Sequence, residues 1–361
     1  MRFKRGMPLA IVAVLGLIFL STAAVQSPAY GKAALPWDGP VEGPSAQPNK
    51  TLVYISEDLR NAGVLAVAEG VREAAEIIGW QVHFLDIGGL EGQREAIFNK
   101  ALALKPDGII LGGGNALANR DLLLRFQQQE IPLVSWHASP FVGPVADTPV
   151  LFNVTSDSVA VARQAAEFVI ADLARAGVVI FTDSRFSIAL KKSEVMAQII
   201  RECLTCTLLS IEDVALNNVA LKMPAMTRSL LARYGDRWTH SLGINDLYFD
   251  YSVATLVIEG RLPEGPPVNV SAGDGSESAF IRIKNRSYQE ATVSEPLLMQ
   301  GWQLIDELNR FFAGEAFSGY SNPAYLVSGE TLDPDQNAQP VFDPDNGYRD
   351  HYSRIWKGTP R

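Results

Sequence analysis

Read for the spacing of its apolar and polar positions, the chain repeats one unit, whose first copy runs from Thr51 to Trp80. An unbroken apolar run, Thr51 to Ile55, precedes a polar loop from Ser56 to Asn61. Val64, Val67, Ala68, Val71, Ala75 and Ile78 then follow at helical spacing. The unit predicts strand, loop and amphipathic helix. Because the strand shows no alternation, both of its faces are covered, as in a parallel sheet flanked by helices. Ligands of such sheets sit beyond the carboxyl ends of the strands. The loop Ser56 to Asn61 is therefore the first candidate for ligand contact, against the plainer alternative of a polar connection.

The unit recurs down the chain. Gln81 to Asp86, Gly108 to Leu111, Ile131 to Trp136 and Leu151 to Val154 read as strands, and Gln93 to Leu104 and Asn119 to Gln129 as helices. Ser156-Asp157 supplies an N-cap for a helix over Val159 to Ala176, and the same order restarts. Strands are predicted at Val178 to Thr182, Thr207 to Ile211, His240 to Ile244, Val268 to Ser271 and Ala291 to Ser294. Between them lie helices over Ile188 to Arg201, Val219 to Tyr234 with a break near Pro224, Tyr251 to Glu259 and Ser278 to Lys284. Two successive blocks of this α/β type imply two lobes with a cleft between them. A helix over Leu297 to Phe312 follows, and residues 333–361 read as a surface tail draped over one lobe.

The N-terminus adds a destination. Arg2, Lys4 and Arg5 precede the apolar run Pro8 to Leu20 and the small residues Ser21 to Ala24 and Ser27 to Ala29, the pattern of a cleavable signal peptide. The apolar run falls short of the roughly 20 residues a membrane span needs. An uncleaved anchor is the lesser alternative, and the absence of a nearby cysteine disfavours a lipid anchor. Exits between Ala24 and Ala34 all fit; residues 1–31 are assigned to the signal and 32–50 to a flexible leader rich in Pro, Gly and small residues. The expected location is the periplasm. The 361 residues suffice for two domains, and 47% hydrophobic with 20% charged content is that of a soluble globular protein. The formal charge of −9 becomes −12 without the three N-terminal cations, which argues against nucleic acid or an anionic membrane as partner.

Export also places Cys203 and Cys206 in an oxidising compartment, where a disulfide persists. A structural staple is the preferred reading. A redox-active Cys-x-x-Cys needs a strand before it and a helix after, and here the order is reversed. The four histidines are scattered without metal-ligand spacing. Gly112-Gly113-Gly114 has neither dinucleotide spacing nor a following Lys-Ser/Thr, and no Gly-x-Ser-x-Gly appears. No cofactor and no metal are expected.

Taken together after a secretion signal, TLVYISEDLRNAGVLAVAEGVREAAEIIGW, KPDGIILGGG, IPLVSWHA, FNVTSDSVAVARQAAEFV, LGINDLYFDYSVATL and VSAGDGSESAFIRIKN resemble the type I periplasmic binding proteins of the ribose-like, sugar-binding branch. The resemblance spans Thr51 to Phe312. It implies two αβα lobes with parallel sheets, joined by three crossover hinge strands near Thr155-Ser156, Ser294-Glu295 and Tyr325, with the ligand cleft between them. The N-terminal lobe would comprise 50–154 plus 296–324, and the C-terminal lobe 155–295 plus 325–332. Such a protein is a monomer that is not an enzyme. It closes on a small polar solute and delivers it to an ABC transporter permease in the inner membrane.

Position by position, the resemblance puts Asn61 on a residue that binds ligand hydroxyls, and Asn245 and Asp274 on the family's amide and carboxylate ligands. Lys192 falls on an arginine of the second lobe, Glu295 on a hinge glutamine, and His137 and Ala138 on an aspartate and an arginine. Gly63 and Val64 stand where aromatics sandwich a sugar ring, so a hexose or pentose held by an Asp-Arg fork is not implied. Trp136, Phe186, Tyr248 or Phe249 could supply an apolar face instead. Lys192 favours an anionic or hydroxyl-rich ligand and Asp274 with Glu295 a cationic one; charge leaves this open. Three alternatives to import were weighed. One is the same binding event reported to a membrane receptor or sensor kinase. Another is a secreted enzyme using Glu57, Asp58, Asp183 and Asp274. The third, a repressor of similar fold, is disfavoured by a signal peptide where a DNA-binding helix pair would stand.

Overall fold

The computed structural model describes residues 36–172, 175–332 and 342–358, so the predicted signal peptide lies outside the described residues. The first block folds as β1 (Thr51–Ser56), α1 (Ala62–Ile78), β2 (Gln81–Asp86), α2 (Glu91–Ala103), β3 (Gly108–Gly112), α3 (Arg120–Gln127), β4 (Leu133–Trp136) and β5 (Val150–Val154). Its strands form a five-stranded parallel sheet in the order β2-β1-β3-β4-β5. Leu52 to Ile55 of β1 are fully buried, which is why that strand carries no polar alternation.

The second block comprises α4 (Ser158–Asp172), β6 (Ala176–Thr182), α5 (Ser187–Glu202), β7 (Cys206–Asp213), α6 (Val219–Tyr234), β8 (His240–Gly243), α7 (Leu247–Ile258), β9 (Val268–Ser271), α8 (Glu277–Lys284) and β10 (Ala291–Ser294). After α9 (Leu297–Ala313) the chain returns as β11 (Tyr325–Ser328), which pairs antiparallel with β10. The sheet order is β11-β10-β9-β8-β6-β7. Three segments pass between the lobes: residues 155–157, 295–296 and 314–324. The first and third touch through a bridge between Ser156 and Asn322. Cys203 and Cys206 close the turn from α5 to β7, with Cα atoms 5.3 Å apart.

α6 runs unbroken through Pro224, where a break was expected, and two element boundaries differ from the sequence reading by more than two residues. α4 ends by Asp172 instead of Ala176 because Ala176 already opens β6. α7 begins at Leu247 instead of Tyr251: the Asn245 amide oxygen accepts from the Leu247 N–H at 2.9 Å and starts the first turn inside what reads as a loop.

The larger differences are at the ends. Residues 36–50 of the expected flexible leader are tied to the first lobe by hydrogen bonds, with 32–35 outside the described residues, and 348–358 of the expected surface tail are built into the first lobe. The tail carries α10 (Tyr348–Trp356), which buries Tyr348, Tyr352 and Trp356 against α9. Trp356 stacks on Trp302 with centroids 5.4 Å apart and planes 7° from parallel, and its indole N–H donates to Asp306 at 2.8 Å. The leader lies alongside: the Ala46 N–H donates to the Trp356 carbonyl at 2.8 Å, the Gln47 N–H to Asn309 at 2.9 Å, and Arg310 to the Glu42 carbonyl at 2.7 Å. α9, covered from all sides, therefore buries Gln303, Asp306, Glu307 and Asn309 together with its apolar face.

α1 and α9 cross at two glycines. A Cβ on Gly301 would lie 2.6 Å from the Val67 carbonyl oxygen and from the backbone of Gly70. Gly301→Ala is expected to lower stability by about 1–3 kcal/mol through overpacking; an unchanged denaturation midpoint would show that the helices can part freely.

Candidate functional site

A cavity of about 140 Å³ lies between the lobes, lined from every loop that follows a parallel strand except those after β5 and β10. The first lobe contributes Glu57 and Asn61 after β1, Gly113 and Gly114 after β3, and Trp136 and His137 at the end of β4. The second contributes Phe186 and Lys192 around the start of α5, Leu216, Asn217 and Val219 before and at the start of α6, Asn245 and Leu247 after β8, and Asp274 after β9. Seven of the eight residues expected to bind ligand line it. Glu295 does not.

Glu295 is buried outside the cavity lining, on the second crossover, with its carboxylate fully engaged. Oε2 accepts from His137 Nε2 at 2.9 Å, the Ser156 N–H at 3.3 Å and Gln300 Nε2 at 3.2 Å; Oε1 accepts from Lys192 Nζ at 3.2 Å. Burial alone would raise its pKa, but the charges of His137 and Lys192 outweigh it and hold the carboxyl well below the usual range. One carboxylate thus ties a first-lobe histidine, a second-lobe lysine and two crossovers together. Trp136 belongs to the same network: its indole donates to Gln300 at 2.7 Å and its ring stacks on His137 at 3.8 Å.

Asp274 faces the cavity from a loop with Gly273 at φ +118° and Gly275 at φ +88°, conformations only glycine adopts readily. A residue missed in the sequence shapes this loop. Buried Asp246 accepts from the Gly275 and Ser276 N–H groups at 2.9 and 3.1 Å and from Gln289 at 2.7 Å. The Asn245 amide donates to Asp274 Oδ2 at 2.7 Å. Burial pushes the Asp274 carboxyl up to about 6, with Lys192 and His137 opposing. Glu307 in α9 is likewise pushed to about 7 by burial.

A raised carboxyl favours the neutral acid in the fold, so its contribution to stability is present below about pH 4 and lost as pH rises through 6. Over that window the loss is on the order of 3 kcal/mol. Asp274→Asn is expected to raise the melting temperature of ligand-free protein at pH 8 and leave it unchanged at pH 4; equal shifts at both would refute the assignment.

Most charged groups at the rim are already paired. Glu57 receives both terminal nitrogens of Arg94, at 2.8 and 2.9 Å, and Arg185 binds Asp183 through two bonds at 2.9 and 2.5 Å. Asn61 caps α1, its side-chain oxygen accepting from the Gly63 N–H at 3.0 Å. Phe186 is half-buried beneath the Arg185 guanidinium, whereas Tyr248 and Phe249 are fully buried with Phe181 in the second-lobe core and take no part in the cavity. Their periodicity in the sequence fits either place; burial decides it.

The lobes also touch directly. The Asn217 amide donates to the Gly89 carbonyl at 2.6 Å, the Asn115 amide to the Arg185 carbonyl at 3.0 Å, and a Cβ on Gly63 would collide with Asp274 Oδ2. The Asn217 side-chain oxygen is buried without a partner. Nothing in the sequence marks Asn217, because its role exists only where the lobes meet.

His137, Asp274 and Glu295 place one ligand atom each within 4.8 Å of one another. The Lys192 ammonium on Glu295 already supplies the positive charge a metal ion would bring, so the cluster suits a hydroxyl-bearing ligand better than a cation.

Residues 52–316 match the family described as periplasmic binding protein domain. No curated protein matches the chain in sequence. Similar solved structures include an ABC transporter solute binding protein from Agrobacterium vitis bound with alpha-D-tagatopyranose, with a TM-score of 0.71 at 16% identity, covering 81% of this chain and 99% of that one. GanP, a glucose-galactose binding protein from Geobacillus stearothermophilus, aligns with a TM-score of 0.69 at 16% identity over 79% of this chain and 99% of its own. The binding protein of the arabinose ABC transporter from Shewanella sp. ANA-3 gives 0.68 at 16% over 85% and 96%. At such identity these likenesses speak for the fold. The family match over most of the chain, on two α/β lobes joined by three crossings around a cleft, makes the chain a member of the type I periplasmic binding proteins.

Proposed function

We propose that the protein captures a small polar solute, a sugar or polyol, by closing its lobes about the three crossings, and hands it to an ABC importer in the inner membrane without chemical turnover. The observation that carries this reading is the cavity between the lobes to which Asn61 and His137 from one lobe and Lys192, Asn245 and Asp274 from the other all contribute. Tagatopyranose and arabinofuranose in the similar structures support the ligand class. In this reading Asn61, Asn245 and Asp274 exchange hydrogen bonds with ligand hydroxyls, which the closed cleft strengthens by excluding water. Lys192 donates as well, Trp136 and Phe186 offer apolar faces, and Glu295 acts by positioning His137 and Lys192. The chain is exported through the cleavable signal in residues 1–31, works as a monomer, and keeps Cys203–Cys206 bonded in the periplasm.

A thermal-shift screen against sugars, polyols, amines and carboxylates tests this; folded protein silent to all four classes would refute it. Once a ligand is found, Asn245→Ala and Asp274→Ala are each expected to weaken binding by ~1–3 kcal/mol, because the abandoned partner stays buried. Unchanged affinity in both would remove them from the site.

A further inference from the structure

The three crossings of the family fold are not the whole of the connection between the lobes. After β11 the tail seats Phe342, fully buried, in a small cluster that belongs to the second lobe: Tyr325 and Val327 of β11, Phe280 of α8, and Leu332. The Phe342 and Tyr325 rings lie 4.7 Å apart. Asp343, the next residue, is bonded to the part of the tail docked on the first lobe, accepting from the Tyr348 hydroxyl at 2.9 Å and from Arg349 at 2.8 Å. Arg349 in turn reaches Glu73 of α1 through two bonds at 2.6 and 3.0 Å, and Tyr348 is buried edge-on against Trp302 of α9. The stretch between these anchors has little slack. Residues 343–347 alone separate Phe342 from Tyr348, a chain spans at most about 3.3–3.6 Å per residue, and part of that length is taken up where Asn346 accepts from the Tyr348 N–H at 3.1 Å. The third crossing is tied down on the same side. α9 holds Ser318 through Glu307 at 2.9 Å and Asn322 through Gln303, and Asp38 of the leader accepts from the Tyr320 hydroxyl at 2.5 Å. Wide opening of the cleft therefore has to draw Phe342 out of its seat into water or pull the tail off α1 and α9.

We propose that residues 342–349 are a strap, a fourth link that limits how far the lobes part, so that the empty protein samples a narrower range of openings than three crossings alone would give. Holding the lobes near the closed arrangement raises the fraction ready for capture and lowers the cost of closing on a solute. The inference goes beyond the solute-binding reading, and its test needs no ligand. Pulsed dipolar distance measurement is made on the full mature chain without ligand, spin-labelled at Leu90→Cys and Leu221→Cys. Both positions are exposed and flank the Asn217–Gly89 bond that spans the cleft. Phe342→Ala empties the second-lobe seat and should add a population at separations longer than any in the parent distribution; Phe342→Leu, which refills the seat, should remove most of it. A second variant inserts Gly-Ser-Gly-Ser between Pro344 and Asp345, which leaves both anchors in place and adds about 13 Å of reach. It should show the same longer separations with the melting temperature of the parent. An unchanged distance distribution in the insertion variant overturns the strap. A lowered melting temperature in Phe342→Ala with unchanged distances likewise overturns it, assigning the phenylalanine to packing alone.

Discussion

Glu295→Ala is expected to cost about 3–5 kcal/mol of stability, the range for removing one partner of a buried ion pair. The loss is large because the carboxylate serves four donors at once: His137, Lys192, Ser156 and Gln300. Lys192 is 3% exposed, so its ammonium would be left buried without a counter-charge. Glu295→Gln should fall between, since one amide oxygen still accepts while the charge is gone. The sign of the pH effect follows from the depressed carboxyl. Its stabilising contribution is present above the ordinary glutamate range and fades as pH falls toward the lowered folded value, so the deficit of the alanine variant should shrink in acid. Urea denaturation at pH 7 and pH 3 reads both quantities. A loss below about 1 kcal/mol at pH 7 would mean that the network contributes little.

Trp356→Ala should be comparably damaging, by about 3–5 kcal/mol, the range for truncating a large buried aromatic. The ring is 4% exposed and packs on Trp302 and Tyr352, and its N–H bonds Asp306. Asp306, itself fully buried, would keep the Arg310 guanidinium but lose the indole. Because the Ala46 N–H bonds the Trp356 carbonyl, the leader should loosen together with α10. Hydrogen exchange at residues 44–47 and 348–356 in the variant tests this. Protection retained in both segments would show that the ends dock independently of the tryptophan.

The strands and helices were legible because each one's burial is written in its own spacing: β1 has no polar alternation, and α1 shows a helical apolar stripe between an Asn61 cap and Gly79. The candidate ligand residues were reachable through resemblance, since most sit at or just beyond the end of a parallel strand. What stayed hidden depends on pairs far apart in the chain. The leader reads as disordered from its Pro and Gly content, yet Gln47 finds its partner 262 residues away in Asn309. The partners of Glu295 were out of reach for a related reason. Its position next to the hinge is visible, but that its oxygens are consumed by His137, Lys192, Ser156 and Gln300 depends on the closure of both lobes. Asn217 shares that origin, because its place just before α6 says nothing about what faces it across the cleft.

The described chain begins and ends on the same half of the molecule: Trp37 stacks against His351 with centroids 5.3 Å apart, and Gly358 lies against Ser45. Immobilising the protein on a sensor chip through either terminus would therefore grip one jaw and leave the other free to swing. A donor and acceptor dye fixed at the two ends would stay at constant separation through the whole cycle. An optical reporter of capture needs one of its dyes on the opposite jaw, for example at exposed Leu204 or Leu221.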